Sequence, residues 1–248
     1  MTPFPEVTFK RGAVRPVECI KGGWNLIQGN YWLVLGMCIV GWMIGSALPL
    51  GILMGPMMCG LFLTFFMMRR GEPYEFGTLF KGFEHFGQSV IATLFHVIPM
   101  MAIIIPAYFL FYVFFLVAIV AQGNEPSGFG MLAVFALIGL FWIVVIAVLM
   151  FISMGFTFVY PLIVDRGLSG VDAVKLSFRA AMANFGGLLG LVGLNFLLSI
   201  GGLLLCIFGV YLVIPISYSA VAIAYEQVFG LREGPPVPKV PPPPPVFT

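Results

Sequence analysis

The stretch Val17-Glu18-Cys19-Ile20-Lys21-Gly22-Gly23-Trp24-Asn25-Leu26-Ile27-Gln28-Gly29-Asn30-Tyr31 decides how the rest of the chain is read. Val17, Ile20, Trp24, Ile27 and Tyr31 are spaced 3, 4, 3, 4, which puts them on one face of a helix. After Lys21 no charged residue occurs until Arg69. The same spacing returns in Phe76, Leu79, Phe83, Phe86 and Val90, and again in Val171, Val174, Phe178, Ala181 and Phe185. Each stripe has Lys or Arg nearby and runs into a long uncharged stretch. The pattern predicts three copies of one unit: a short helix on a membrane surface, then a hairpin of spanning helices.

Composition supports that solvent. The 248 residues are 60% hydrophobic and 9% charged, with a mean hydropathy of +1.07. Soluble domains carry roughly 25% charged residues, and a water-soluble fold of this size cannot hide so much apolar surface. The net charge of +2 is too small to point to a nucleic-acid partner.

Charge-free runs cover 22–68, 85–124, 127–164 and 180–225. One span needs about 20 apolar residues to cross a core of roughly 30 Å, so the first and last runs hold two helices each. Leu48-Pro49-Leu50-Gly51 and Ile207-Phe208-Gly209 are the expected turns. The loop Gln122 to Gly128 separates the two middle runs, each read as one long or bent helix, with a kink at Pro99 and Pro106. The expected fold class is an all-α polytopic membrane protein with six transmembrane helices, about 30–48, 51–68, 86–121, 129–164, 185–205 and 210–228. They form three parallel hairpin repeats, each preceded by an interfacial amphipathic helix.

Six spans place all twelve Lys and Arg residues on one side and only Glu125 on the other. Because cytoplasmic loops are enriched in basic residues, both termini are expected in the cytoplasm. The polar first thirty residues do not read as a cleavable signal peptide. Cys19, Cys38, Cys59 and Cys206 form no CxxC pair and read as buried free thiols.

The first and third units align at a constant offset of 154: Val17 to Lys21 matches Val171 to Lys175, and Asn30-Tyr31 matches Asn184-Phe185. Ser169 and Asp172 resemble a capping box at the start of the third surface helix. The middle unit lacks the Lys register. The organisation expected is an arm at 1–13, a membrane domain at 14–230 with units near 14–70, 75–164 and 169–229, and a proline-rich tail at 231–248. Small-xxx-small pairs Gly41/Gly45, Gly51/Gly55 and Gly186/Gly190 are candidate helix contacts. Pro56 and Pro215 are expected to bend the second helices of units one and three.

The chemistry is mostly absence. No ionisable group falls near the middle of a span, which argues against a pump or proton-coupled carrier. Asp165 and Glu226 lie at span ends. Asn195 is mid-span. His85 and His96 lie on one helix, roughly 16 Å apart along it, too far to share a metal. His96 alone is a candidate lone ligand to a metal-centred pigment or metal; an interior hydrogen-bonded histidine explains it as well. No Ser-His-Asp set, HExxH or phosphate loop occurs, so no catalytic residue and no cofactor is expected. Arg69, Arg70, Lys81, Arg166, Lys175 and Arg179 could bind anionic lipid headgroups, although positive-inside placement explains the same residues. Pro238-Lys239-Val240-Pro241, the run Pro241, Pro242, Pro243, Pro244 and Pro245, and Phe247 suit a stiff polyproline II contact element for a partner.

Surface helix, Asn-aromatic start and Gly/Pro-bent return helix together resemble uncharacterised bacterial six-helix membrane proteins related to the membrane domain of glycerophosphodiester phosphodiesterases. The likeness covers about residues 14–230. It implies a bacterial cytoplasmic (inner) membrane and a non-catalytic role, since hydrolysis in that group belongs to a separate soluble domain. The sequence therefore reads as a non-enzymatic membrane subunit or scaffold of a larger complex, with membrane lipids and other subunits as partners. The alternative is a lipid- or small-molecule-handling channel or carrier, with Asn195, Ser199, Ser217 and Tyr218 as its lining.

Overall fold

A computed structural model describes residues 8–122, 128–205 and 209–232. It is all-α, with no strand among the described residues. The order is α1 (Pro16–Ile27), a 3₁₀ turn (Gln28–Asn30), α2 (Tyr31–Gly45), a 3₁₀ turn (Pro49–Gly51), α3 (Met54–Arg70), a 3₁₀ helix (Phe76–His85), α4 (Phe86–Gln122), α5 (Gly128–Gly155), α6 (Val159–Arg166), α7 (Gly170–Ala183), α8 (Phe185–Leu205) and α9 (Gly209–Phe229). Five stretches are long and apolar enough to cross a membrane: Pro16–Gly45, Phe76–Val120, Met131–Arg166, Phe185–Leu204 and Gly209–Phe229. α3 is shorter, at 17 residues, and most of it is buried from Gly55 to Phe66.

The expected turn at 48–51 is present. Pro49 opens a 3₁₀ turn, and Leu50 and Gly51 take φ of 61° and 60° to reverse the chain. The turn at Ile207-Phe208, the loop 123–127 and Cys206 lie outside the described residues. α4 runs unbroken through Pro99 and Pro106. An interruption comes at 156–158, inside the run expected as one long or bent helix. Pro161 has no N–H for the Thr157 carbonyl and its ring crowds that carbonyl, and here, unlike at Pro99 and Pro106, the helix breaks. Ser177 of α7 satisfies the broken ends: its Oγ donates to Gly155 O at 2.6 Å and accepts from Phe158 N at 3.1 Å.

The middle stripe also differs from its expectation. Phe76–His85 is a 3₁₀ helix rather than α. A period of 3.0 aligns Leu79 and Gly82 on one face, and these are buried against α3 while Phe80 and Phe83 are exposed. A Cβ at Gly82 would overlap Pro56 O, and one at Gly60 would overlap Leu79 O, so the two backbones touch directly.

α1 packs on α9, the 3₁₀ helix on α3, and α7 on α6 as well as α4 and α5. The buried faces of α1 and α7 are Cys19, Gly23 and Ile27, and Ala173, Ser177 and Ala181. These sets are again 154 apart. They share only Ile27 and Ala181 with the apolar stripes, whose Val17 is 55% and Trp24 43% exposed. At Gly23 an added Cβ would meet Ala220 N and Ser219 Oγ at 2.7 Å. The chain bends at both Asn-aromatic pairs, with Asn30 at φ −134°, ψ 34° and Asn184 at φ −120°, ψ 22°.

Ser169 caps α7 as expected, accepting from Asp172 N at 3.2 Å, with its hydroxyl donating to Asp172 Oδ2. The arm before α1 lies on the chain's own body. Lys10 N donates to Val228 O at 2.8 Å, Gly12 N to Ala183 O at 3.2 Å and Arg15 N to Gln227 Oε1 at 2.9 Å. Asn184 holds the arm with both ends of its amide, accepting from Ala13 N at 2.8 Å and donating to Lys10 O at 3.0 Å.

Candidate functional site

The ends of α3, α6 and α9 converge, and each stops in the same way. Gly71, Gly167 and Gly230 follow the three helices with φ of 70°, 64° and 67°, the left-handed cap that glycine adopts without strain. Three helix C-termini bring their partial negative charges together. Arg69, Arg70 and Arg166 stand in the last turns of α3 and α6 to offset them.

Charged contacts then tie the three ends pairwise. Arg70 Nη2 donates to Asp165 Oδ1 at 3.0 Å, joining α3 to α6. Arg69 makes a two-pronged pair with Glu226, at 2.7 and 3.0 Å, joining α3 to α9. Arg166 Nη2 donates to Phe229 O at 3.0 Å and Gly230 O at 2.9 Å, joining α6 to α9. Asp165 is the hub. Its side chain is 0% exposed, and it also accepts from Tyr225 OH at 2.8 Å and from Arg232 N at 3.2 Å.

Beneath this layer the axis is filled by rings. Tyr225 stacks on Phe229 at 5.1 Å, Phe66 lies 5.4 Å from Tyr225, and Phe158 meets Phe229 edge-on at 5.7 Å. Such pairs add to the stabilisation from burial alone. Chemically the arrangement holds helices together.

The structure distributes the sequence-derived candidates among different places. Arg69 and Arg70 are engaged in the ion pairs just described, whereas Lys81, Lys175 and Arg179 are exposed, with no acidic partner among the described residues. The His96 ring lies flat on Phe156 at 4.4 Å, and Phe156 in turn meets Phe178 edge-on at 5.7 Å. Among the described residues no group of three or more His, Cys, Asp or Glu could hold a metal ion. Ser199 Oγ donates to Asn195 O and Ser217 Oγ to Val213 O, each within its own helix. Tyr218 accepts from Trp42 Nε1 at 3.2 Å, and Asn195 Oδ1 is buried without a partner.

Two clefts of note lie elsewhere. One, about 380 Å³, lies between α4 and α5 and is lined by Phe111, Phe114 and Phe141 among others. The second, about 310 Å³, lies between α5 and α8. Pro238, Pro241 to Pro245 and Phe247 lie outside the described residues.

Sequence reasoning missed Asp165 as a hub, Asn184 as the clasp of the arm and Ser177 as the cap of a broken helix. One signal was available: Arg-Gly follows both the first and the third uncharged run, at Arg70-Gly71 and Arg166-Gly167.

Length and apolarity of the helices make this a multi-pass helical membrane protein. The chain matches no protein-family model, no curated protein and no solved structure.

Proposed function

We propose that this chain is a non-enzymatic membrane subunit or scaffold that assembles with other membrane proteins. In this reading α3 is the sixth span, since its 17 residues lie at the short end of the spanning range. The three hairpins are diverged parallel repeats, and the surface elements with the converging helix ends face the cytoplasm of a bacterium. The resemblance to bacterial six-helix membrane proteins supports the same placement.

The observation that carries the reading is the α4–α5 hairpin. α4 has 37 residues against 21 for α8, an excess of about 24 Å at ~1.5 Å per residue. Its full length of about 55 Å exceeds a hydrocarbon core of roughly 30 Å even at a 40° tilt. The far part nevertheless stays apolar and uncovered, with Phe109 68% and Val120 79% exposed. A large uncovered apolar surface that reaches past its own bundle marks a contact with another protein. The ring-filled axis at the charged end supports a packing role over a conducting one.

Purification in mild detergent tests this. The chain should migrate with other membrane proteins identified by mass spectrometry, and removing the hairpin beyond Pro106 should release them. A chain that runs only as a free monomer from native membranes defeats the proposal.

A further inference from the structure

The hairpins α2–α3, α4–α5 and α8–α9 meet at three seams, and only two of the three are closed. At the α3–α4 seam Gly55 lies against Ser89 O and Thr93 Oγ1 so closely that a Cβ would collide with both. At the α9–α2 seam Tyr31 OH donates to Leu212 O at 2.6 Å and Trp42 Nε1 to Tyr218 OH at 3.2 Å. At the third seam, α5 and α8 stand apart around the 310 Å³ cleft, which is lined by Ile146, Met150, Ser153, Met154, Thr157 and Val192 among others. Phe151 and Phe185, with ring centroids 6.2 Å apart, bridge it at one point.

We propose that this cleft holds one acidic phospholipid, with an acyl chain along α5 and the headgroup on Lys175 and Arg179. Length and charge both select that occupant. From Ile146 to Thr157 the lining rises about 17 Å at ~1.5 Å per residue, close to the depth of one leaflet of a roughly 30 Å core. The walls are apolar except for Ser153 and Thr157, which lie toward the α7 end. There α7 lies directly against α5, with Ser177 Oγ on Gly155 O and the Phe178 ring against Gly155. α7 exposes Lys175 and Arg179 on its face opposite Ser177, outside the cleft lining but on the helix that lies at its Thr157 end, and its one acid, Asp172, is occupied by the Ser169 hydroxyl. An anionic headgroup is thus the complement that the site lacks. The inference rests on the hairpins being in a bilayer. It does not rest on the scaffold role.

The test uses the full chain, reconstituted in vesicles of equal parts phosphatidylcholine and phosphatidylglycerol, extracted in mild detergent and weighed by native mass spectrometry. One phosphatidylglycerol should remain bound in preference to phosphatidylcholine. The double substitution Lys175→Gln, Arg179→Gln should lower its retention about tenfold. Lys21→Gln should change nothing, because Lys21 is the counterpart of Lys175 at the offset of 154 but stands on α1. Val192→Trp, which fills the cleft, should remove both lipids. The two glutamine substitutions disturb no buried side chain, so they decide the matter even if Val192→Trp fails to accumulate. Equal retention of the two lipids, or an equal loss in Lys21→Gln, overturns the proposal. Partner co-purification is a separate readout, so either inference can fail alone.

Discussion

Replacing Asp165 by Ala should be among the most damaging single changes at the charged end. The carboxylate is fully buried and meets Arg70 Nη2 at 3.0 Å, Arg166 Nε at 3.0 Å and Tyr225 OH at 2.8 Å. The two guanidinium side chains are themselves only 20% and 25% exposed. Removing the anion leaves Arg166 without a carboxylate and Arg70 with only Glu72, 3.9 Å away, a loss of about 3–5 kcal/mol for a buried pair. The Tyr225 hydroxyl, left without its acceptor, accounts for about 1–3 kcal/mol of that by itself. Arg69→Gln is the internal comparison. It breaks the Arg69–Glu226 pair, whose side chains are 51% and 30% exposed, so its cost should be about 0–1 kcal/mol. Unfolding of the detergent-solubilised chain by sodium dodecyl sulfate, followed through tryptophan fluorescence, measures both. Asp165→Asn should fall between them, since it keeps an acceptor for Tyr225 but not the charge. If Asp165→Ala lies within about 1 kcal/mol of Arg69→Gln, the buried carboxylate does not hold the three helix ends together and the reasoning fails.

Three further outcomes follow from the packing. Gly82→Ala should sharply reduce accumulation of the folded chain, because its Cβ would overlap Pro56 O; Gly87→Ala, in open space, should be neutral on a fluorescence-detected gel-filtration trace. Ser177→Ala should cost about 1–3 kcal/mol, since it strips buried partners from both Gly155 O and Phe158 N; the same detergent titration reads it, and a change under about 0.5 kcal/mol would mean that water or a shifted turn replaces the hydroxyl. A reporter fused after Thr248 should be active in the cytoplasm and one inserted at Asn124 outside it; the opposite result at either site rejects the orientation drawn from the basic residues.

Much of the fold was legible because it depends on local chemistry. Uncharged runs, Pro49-Leu50-Gly51 and the Ser169 cap act within a few residues, so α2, α3, α7, α8 and α9 begin and end close to their expected limits. The 3₁₀ helix at 76–85 and the break at 156–158 have a different origin. Leu79 and Gly82 take a 3₁₀ period in a segment whose backbone docks on Gly60, and the α5–α6 break is completed by Ser177, about twenty residues away in sequence. The charged-end site was less legible still. Arg70 and Asp165 are 95 residues apart, and Arg69 and Glu226 are 157 apart.

By itself the sequence determined the apolar solvent that its long helices suit and where most of those helices start and stop. Each of these follows from transfer of side chains to lipid and from helix-breaking residues, which depend on no distant partner. Only the tertiary structure decided which faces are inside. In water an apolar stripe would have marked the buried side. In lipid the bilayer is as apolar as the core, so Val17 and Trp24 face outward without penalty, while Cys19 and Gly23, like Ala173 and Ser177, turn inward because small side chains let backbones meet.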